Sequence, residues 1–215
     1  MKKVVLCILS LTLVLSPGII CAAEPVTSQP TPERFIYCTV CHGTAFQGNR
    51  SLDAPNLSIL GTWYVKVQLM NYKKMIRGGA GAKNHVQEMQ QMVTALDEDA
   101  IGEVSAFVGT MKSTPASSTI FGDSARGAKL YQSCGTCHGA DGLGNETFGA
   151  PRLAGQHDWY LERELVSYRN GSRGAAEGDL YGAQMRASIS MLEDEESIRD
   201  VLVYINTFNQ TLNKN

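Results

Sequence analysis

At 215 residues the chain has room for one or two domains, and 43% of its residues are hydrophobic. Its formal net charge of −2 lacks the basic footprint that nucleic-acid binding requires, so a nucleic-acid partner is not expected.

Lys2 and Lys3 precede an apolar run from Val4 to Leu15, and Cys21-Ala22-Ala23 forms a small-residue cleavage site. Residues 1–23 therefore read as a secretory signal, with the mature chain expected from Glu24 in the periplasm. The run is too short for a comfortable membrane span. Its removal takes away two lysines and no acid, which moves the net charge from −2 to −4. Cys7 and Cys21 go with it, and the four remaining cysteines all fall in two short motifs, leaving none for a structural disulfide.

Residues 24–31, with Pro25 and Pro30, form a lead-in. Thr31 is expected to cap a short helix with Pro32 in its first position, running through Phe35 and Ile36 into Cys38-Thr39-Val40-Cys41-His42. A Gly-rich loop from Gly43 to Pro55 follows, then a middle helix from Thr62 to about Arg77. Trp63, Val67 and Met70 recur there at helical spacing. A polar loop, Gly78 to Gln87, leads to Met89. The acidic run Asp97-Glu98-Asp99, favourable at a helix N-terminus, opens a last helix carrying Ile101, Val104, Val108 and Met111. Residues 112–120, rich in Ser, Thr and Pro, read as a linker.

The order then repeats. Asp123 or Ser124 caps a longer first helix ending in Cys134-Gly135-Thr136-Cys137-His138. A Gly-rich loop reaches Pro151, and the middle helix runs from Asp158 to about Arg173. The loop Gly174 to Ala183 precedes Met185, and Glu193 to Glu196 open a helix with Ile198, Val201, Leu202 and Ile205. One offset of 96 positions maps Cys38 to Cys134, Pro55 to Pro151, Tyr64 to Tyr160, Arg77 to Arg173, Met89 to Met185 and Leu96 to Leu192, with no gap. A repeat this long, each copy with its own motif, means two duplicated domains. The expected boundaries are 24–111 and 121–215, joined by 112–120. Strand signals are weak throughout, so the reading is all-α.

Cys-x-x-Cys-His is the attachment signature of c-type haem. The two thiols can each form a thioether to one porphyrin, and the next residue places an imidazole for the iron. Cys38, Cys41, Cys134 and Cys137 are thus the expected attachment points, and His42 and His138 the expected iron ligands. A domain of about 90 residues has a marginal apolar core, and a covalent haem adds apolar bulk to it. A thioredoxin-like redox pair would not require His after the second Cys twice. A four-cysteine zinc site fits poorly with 96 residues between the pairs. An electron carrier calls for a soft sixth ligand, because His/Met ligation raises the potential. Met89 and Met185 are the candidates. Met75, Met92 and Met191, unmatched by Met in the other copy, suit gap filling. His85 and His157 are not repeated and read as surface or loop residues.

The motifs together resemble the dihaem cytochrome c4 family. They are Cys-x-x-Cys-His-Gly with a Gly-Asn loop, Ala-Pro-Arg-Leu-Ala-Gly-Gln-His (150–157), Trp-Tyr-Leu-x-x-x-Leu, and a Met seven residues before the Leu that precedes the last helix. The resemblance implies two tandem cytochrome c domains, each a small helical fold around one covalently bound haem c, packed about a pseudo-twofold. It also implies that the Pro55 and Pro151 carbonyls accept a hydrogen bond from the proximal histidines. The implied function is electron transfer between a respiratory donor and a terminal oxidase or reductase, with docking to a membrane complex possible and no catalytic residue. The competing readings are a peroxidase-like dihaem oxidoreductase with one open iron and a fixed electron-transfer subunit of a dehydrogenase or oxidase complex. Ser58-Ile59-Leu60-Gly61, standing where the second copy has Ala154-Gly155-Gln156-His157, marks the first domain as the more divergent.

Overall fold

The computed structural model describes residues 30–78, 84–112 and 114–212. The expected signal segment and its cleavage site, and part of the Gly78–Gln87 loop, lie outside the described residues. The first repeat folds as α1 (Ile36–His42), α2 (Thr62–Lys73), α3 (Asn84–Thr94) and α4 (Glu98–Val108). The second folds as α5 (Ser124–His138), α6 (Asp158–Arg169), α7 (Leu180–Ser188) and α8 (Glu195–Leu212). Among the described residues there is no strand. Two isolated bridges, Asn49 with Ala54 and Asn145 with Ala150, close the Gly-rich loops at equivalent places. No helix among the described residues is long and apolar enough to cross a membrane.

The 96-residue offset holds in three dimensions. α6 begins and ends one repeat length after α2, and α1 and α5 both stop at the motif histidine. Gly43 and Gly139 terminate those helices with φ of 79° and 83°, a region that suits glycine, so the helix stops right after the histidine. The acidic openings act as expected. Asp97 accepts a hydrogen bond from Ala100 N at the start of α4, and Asp123 accepts from Ala125 N and Arg126 N at the start of α5.

Three expectations need correction. The first helix is not capped by Thr31; a 3-10 turn, Glu33–Phe35, follows Pro32 without a side-chain cap and feeds α1. Each middle helix ends four residues before the arginine taken as its limit, because Lys74 and Asn170 turn the chain with their N–H groups on carbonyls of the last turn. The segment before each last helix is not all loop, because α3 and α7 carry Met89 and Met185.

Each repeat builds its own core. Phe35, Phe46, Val65, Leu69, Val93, Ile101, Val104 and Val108 form the first. Tyr131, Leu161, Tyr168, Ile189, Leu192, Ile198, Val201, Leu202 and Ile205 form the second. The buried stripe of α2 is Val65, Leu69 and Tyr72. The Trp63, Val67, Met70 stripe lies beside it, only partly buried. Trp63 and Val67 instead face a cavity between the repeats.

The backbone is duplicated more faithfully than the sequence. Phe46, Asp53 and Met75 have positive φ (56°, 52° and 57°) where the second repeat has Gly142, Gly149 and Gly171. The first repeat therefore bears left-handed strain that the second avoids.

The connection between repeats is fastened down. The Asp158 carboxylate, 1% exposed, accepts from the backbone N–H groups of Thr119 and Ile120, from Thr119 Oγ1, and from Asn206 Nδ2. Burial alone would raise its pKa, but these donors outweigh that and hold it below the usual carboxylate range.

Candidate functional site

The two motif histidines are arranged alike. His42 Nδ1 lies 3.1 Å from the Pro55 carbonyl, and His138 Nδ1 lies 2.8 Å from the Pro151 carbonyl. A carbonyl only accepts, so Nδ1 carries the proton and the Nε2 lone pair is the one left to bind a metal. Burial, more than the carbonyl bond opposing it, pushes both imidazoles below their ordinary pKa and keeps them neutral. Both rings are 7% exposed.

The cysteines precede them on the same helices. Cys38 and Cys134 are partly buried against the two cores, and burial raises their thiol pKa values. All four described cysteines are free of disulfides, so each pair remains available to a porphyrin.

The methionines come from other helices, Met89 from α3 and Met185 from α7. On α3, Val86, Met89 and Val93 share one face, and Val86 and Met89 pack on the first core. On α7, Met185 holds the equivalent place against the second core. In the second repeat the chemistry converges on one cavity of about 200 Å³. Cys134, Cys137, His138 and Met185 all line it, with Leu165 and Leu202 among its apolar walls. A flat apolar macrocycle with a central metal suits that lining, because thiols, imidazole and thioether face a space walled mostly by hydrocarbon. The residues fit a haem.

That cavity extends to the other repeat, where Trp63, Tyr64, Val67, Gln68 and Arg77 complete its wall. Here the sequence reading missed a polar cluster. Arg77 Nη1 donates to Gln68 Oε1 at 2.8 Å, and Arg77 Nη2 reaches Glu164 Oε2 at 3.0 Å and Tyr160 Oη at 3.3 Å. Its repeat partner mirrors this. Arg173 donates to Glu164 in its own repeat and, across the seam, to Gln68 Oε1 at 2.9 Å and Tyr64 Oη at 3.0 Å. Each guanidinium also sits over a tyrosine of its own repeat, Arg77 at 4.9 Å from Tyr72 and Arg173 at 4.6 Å from Tyr168. The available signal was the pattern Tyr-x-x-x-Gln/Glu followed nine residues later by Arg, present twice.

Other contacts cross the seam. Gln156, fully buried, accepts from Asn56 N at 2.9 Å and donates to Asn56 O at 2.8 Å, imitating a strand partner. His157 Nε2 lies 2.9 Å from the Gln47 carbonyl while its ring stacks on Trp159. Asp53 meets Arg163 across the seam and, within the first repeat, lies 3.6 Å from His85. Neither histidine is therefore an idle surface group.

Two helical units, each with a Cys-x-x-Cys-His helix ending at its histidine, define a c-type cytochrome with two covalently bound haem c groups. The cytochrome c family pattern matches residues 124–209. Cytochrome c4 of Stutzerimonas stutzeri is 32% identical over 147 residues, covering 63% of this chain and 69% of that protein. The thiosulfate dehydrogenase electron acceptor of Thiomonas intermedia is 48% identical over 183 residues, covering 80% and 79%. The crystal structure of reduced recombinant cytochrome c4 from Pseudomonas stutzeri superposes with a TM-score of 0.65 at 27% identity, over 80% of this chain and 93% of that one. The chain belongs to the cytochrome c4 family, and it is an electron carrier.

Proposed function

We propose that this protein is exported to the periplasm, with its signal removed near Ala23, and passes electrons from a sulfur-oxidising dehydrogenase to a terminal oxidase or reductase. The donor is suggested by the 48% identity to a thiosulfate dehydrogenase electron acceptor. The domains are 24–111 and 121–215, with 112–120 between them.

In this reading Cys38 and Cys41 hold one haem and Cys134 and Cys137 the other, each by two thioethers. His42 with Met89, and His138 with Met185, would ligate the two irons. When bound, each haem supplies a one-electron iron couple. The chain does the rest. The Pro55 and Pro151 carbonyls fix the histidine rings and make the imidazoles better donors. The Met89 and Met185 thioethers would supply the second protein ligand to each iron and leave no place for a substrate, which would separate a carrier from a peroxidase-like enzyme. The apolar cores would keep water from the iron.

The observation that supports this most is the recurrence of the whole set, carbonyl, imidazole, thiols and thioether, at one constant offset in two equivalent folds. Spectroelectrochemical titration of the holoprotein from an export-competent host tests it. Two covalent, low-spin, six-coordinate haems are expected. A high-spin haem with rapid cyanide or peroxide binding would instead make the protein an enzyme.

A further inference from the structure

The seam cluster is symmetric in shape and asymmetric in charge. Gln68 and Glu164 are equivalent residues, and each accepts from both Arg77 and Arg173. The three ionic side chains are nearly buried, at 10% exposure for Arg77 and Glu164 and 9% for Arg173. Two guanidiniums therefore share one carboxylate. The third guanidinium on Glu164, Arg163, is answered by Asp53 at 3.5 Å. Arg152 and Asp179, the other charged residues of the cavity wall, are of opposite sign. One positive charge is left over.

A buried charge without a counter-ion is costly. Hydrogen bonding alone does not explain Gln68, since a carboxylate at that position would accept the same two N–H groups and also balance the charge. The surplus faces the cavity that also holds Cys134, His138 and Met185. Haem c brings carboxylate substituents, which are the anions this wall lacks.

We propose that Arg77, reaching across from the first repeat, is a positioning residue for the haem of the second, and that the Gln68/Glu164 mismatch sets the positive charge that haem experiences. The inference rests on the haem assignment proposed above. Positive charge near a haem favours its reduced form, because reduction removes one positive charge from the iron. Keeping Gln68 neutral therefore raises the potential of the second haem.

The test is spectroelectrochemical titration of intact holoprotein variants. Gln68→Glu adds a negative charge and keeps both acceptor bonds; it is expected to lower the potential of the second haem. Glu164→Gln removes one and is expected to raise it. Each shift should correspond to about a tenfold change in the redox equilibrium, about 59 mV for one electron. Arg77→Gln should lower the potential, with Arg77→Lys restoring most of the loss. A merely structural seam would move the two near-isosteric carboxamide/carboxylate variants in the same direction, by loosening the interface. Shifts of the same sign, or none, in proteins that retain two covalent low-spin haems would overturn the proposal. Fewer than two covalent haems in the unmodified protein would instead overturn the haem assignment beneath it.

Discussion

Gln68 and Glu164, one repeat length apart, are gripped by the same two arginines, so the centre of the interdomain seam is a single hydrogen-bonded unit. Its charged member has a consequence for acid stability. Burial disfavours the Glu164 carboxylate, but Arg77, Arg173 and Arg163 outweigh burial and pull its pKa from 4.5 down to about 2. A depressed folded-state pKa contributes stability above the unfolded value, and that contribution disappears as pH falls through the folded one. Stability should therefore decline between pH 4.5 and about 2, by about 3 kcal/mol from this group. Urea unfolding at stepped pH should show the decline in the native protein and a flatter profile in Glu164→Gln.

Gln156→Ala should be among the most damaging seam substitutions. It removes two buried hydrogen bonds and leaves the Asn56 N–H and carbonyl without these partners. A loss of about 2–4 kcal/mol is expected. Denaturant unfolding should reveal it, accompanied by separation of the two domains' transitions.

Met75→Gly should stabilise the first repeat. Met75, expected from the sequence to fill a gap, is instead 65% exposed and has φ of 57°, and its equivalent Gly171 has φ of 76°. Relief of left-handed strain should contribute about 1 kcal/mol. Thermal unfolding of the holoprotein would register this as a higher midpoint.

Gly139→Ala should act in the opposite sense. Its φ is 83°, and an added Cβ would stand 2.9 Å from Asp141 Oδ1. The cost is about 1–2 kcal/mol, placed beside His138, so both the unfolding midpoint and the yield of attached haem should fall.

Much of this protein is legible in one dimension, and the illegible parts share a cause. The motif cysteines and histidines need only local spacing, and the 96-residue register pairs Met89 with Met185 as equivalent positions. α3 and α7 escape notice because their sequences are short and polar, with Val93 and Gly182 as their buried residues. Val86, Met89 and Val93 at i, i+3 and i+7 were the remaining trace. The seam escapes for another reason. Tyr64, Arg77, Tyr160 and Arg173 stand out as repeated polar residues, yet no pattern within one copy says that the copies meet face to face. The fastening of residues 118–120 by Asp158 is likewise a contact between segments 38–40 positions apart, which composition alone reads as a loose linker.

The central claim, two irons each held between an imidazole and a thioether, is tested most directly by the near-infrared methionine-to-iron band of the oxidised holoprotein. Replacing Met89 or Met185 alone should remove half of that band, and replacing both should remove all of it. A band unchanged by either single replacement would contradict the account.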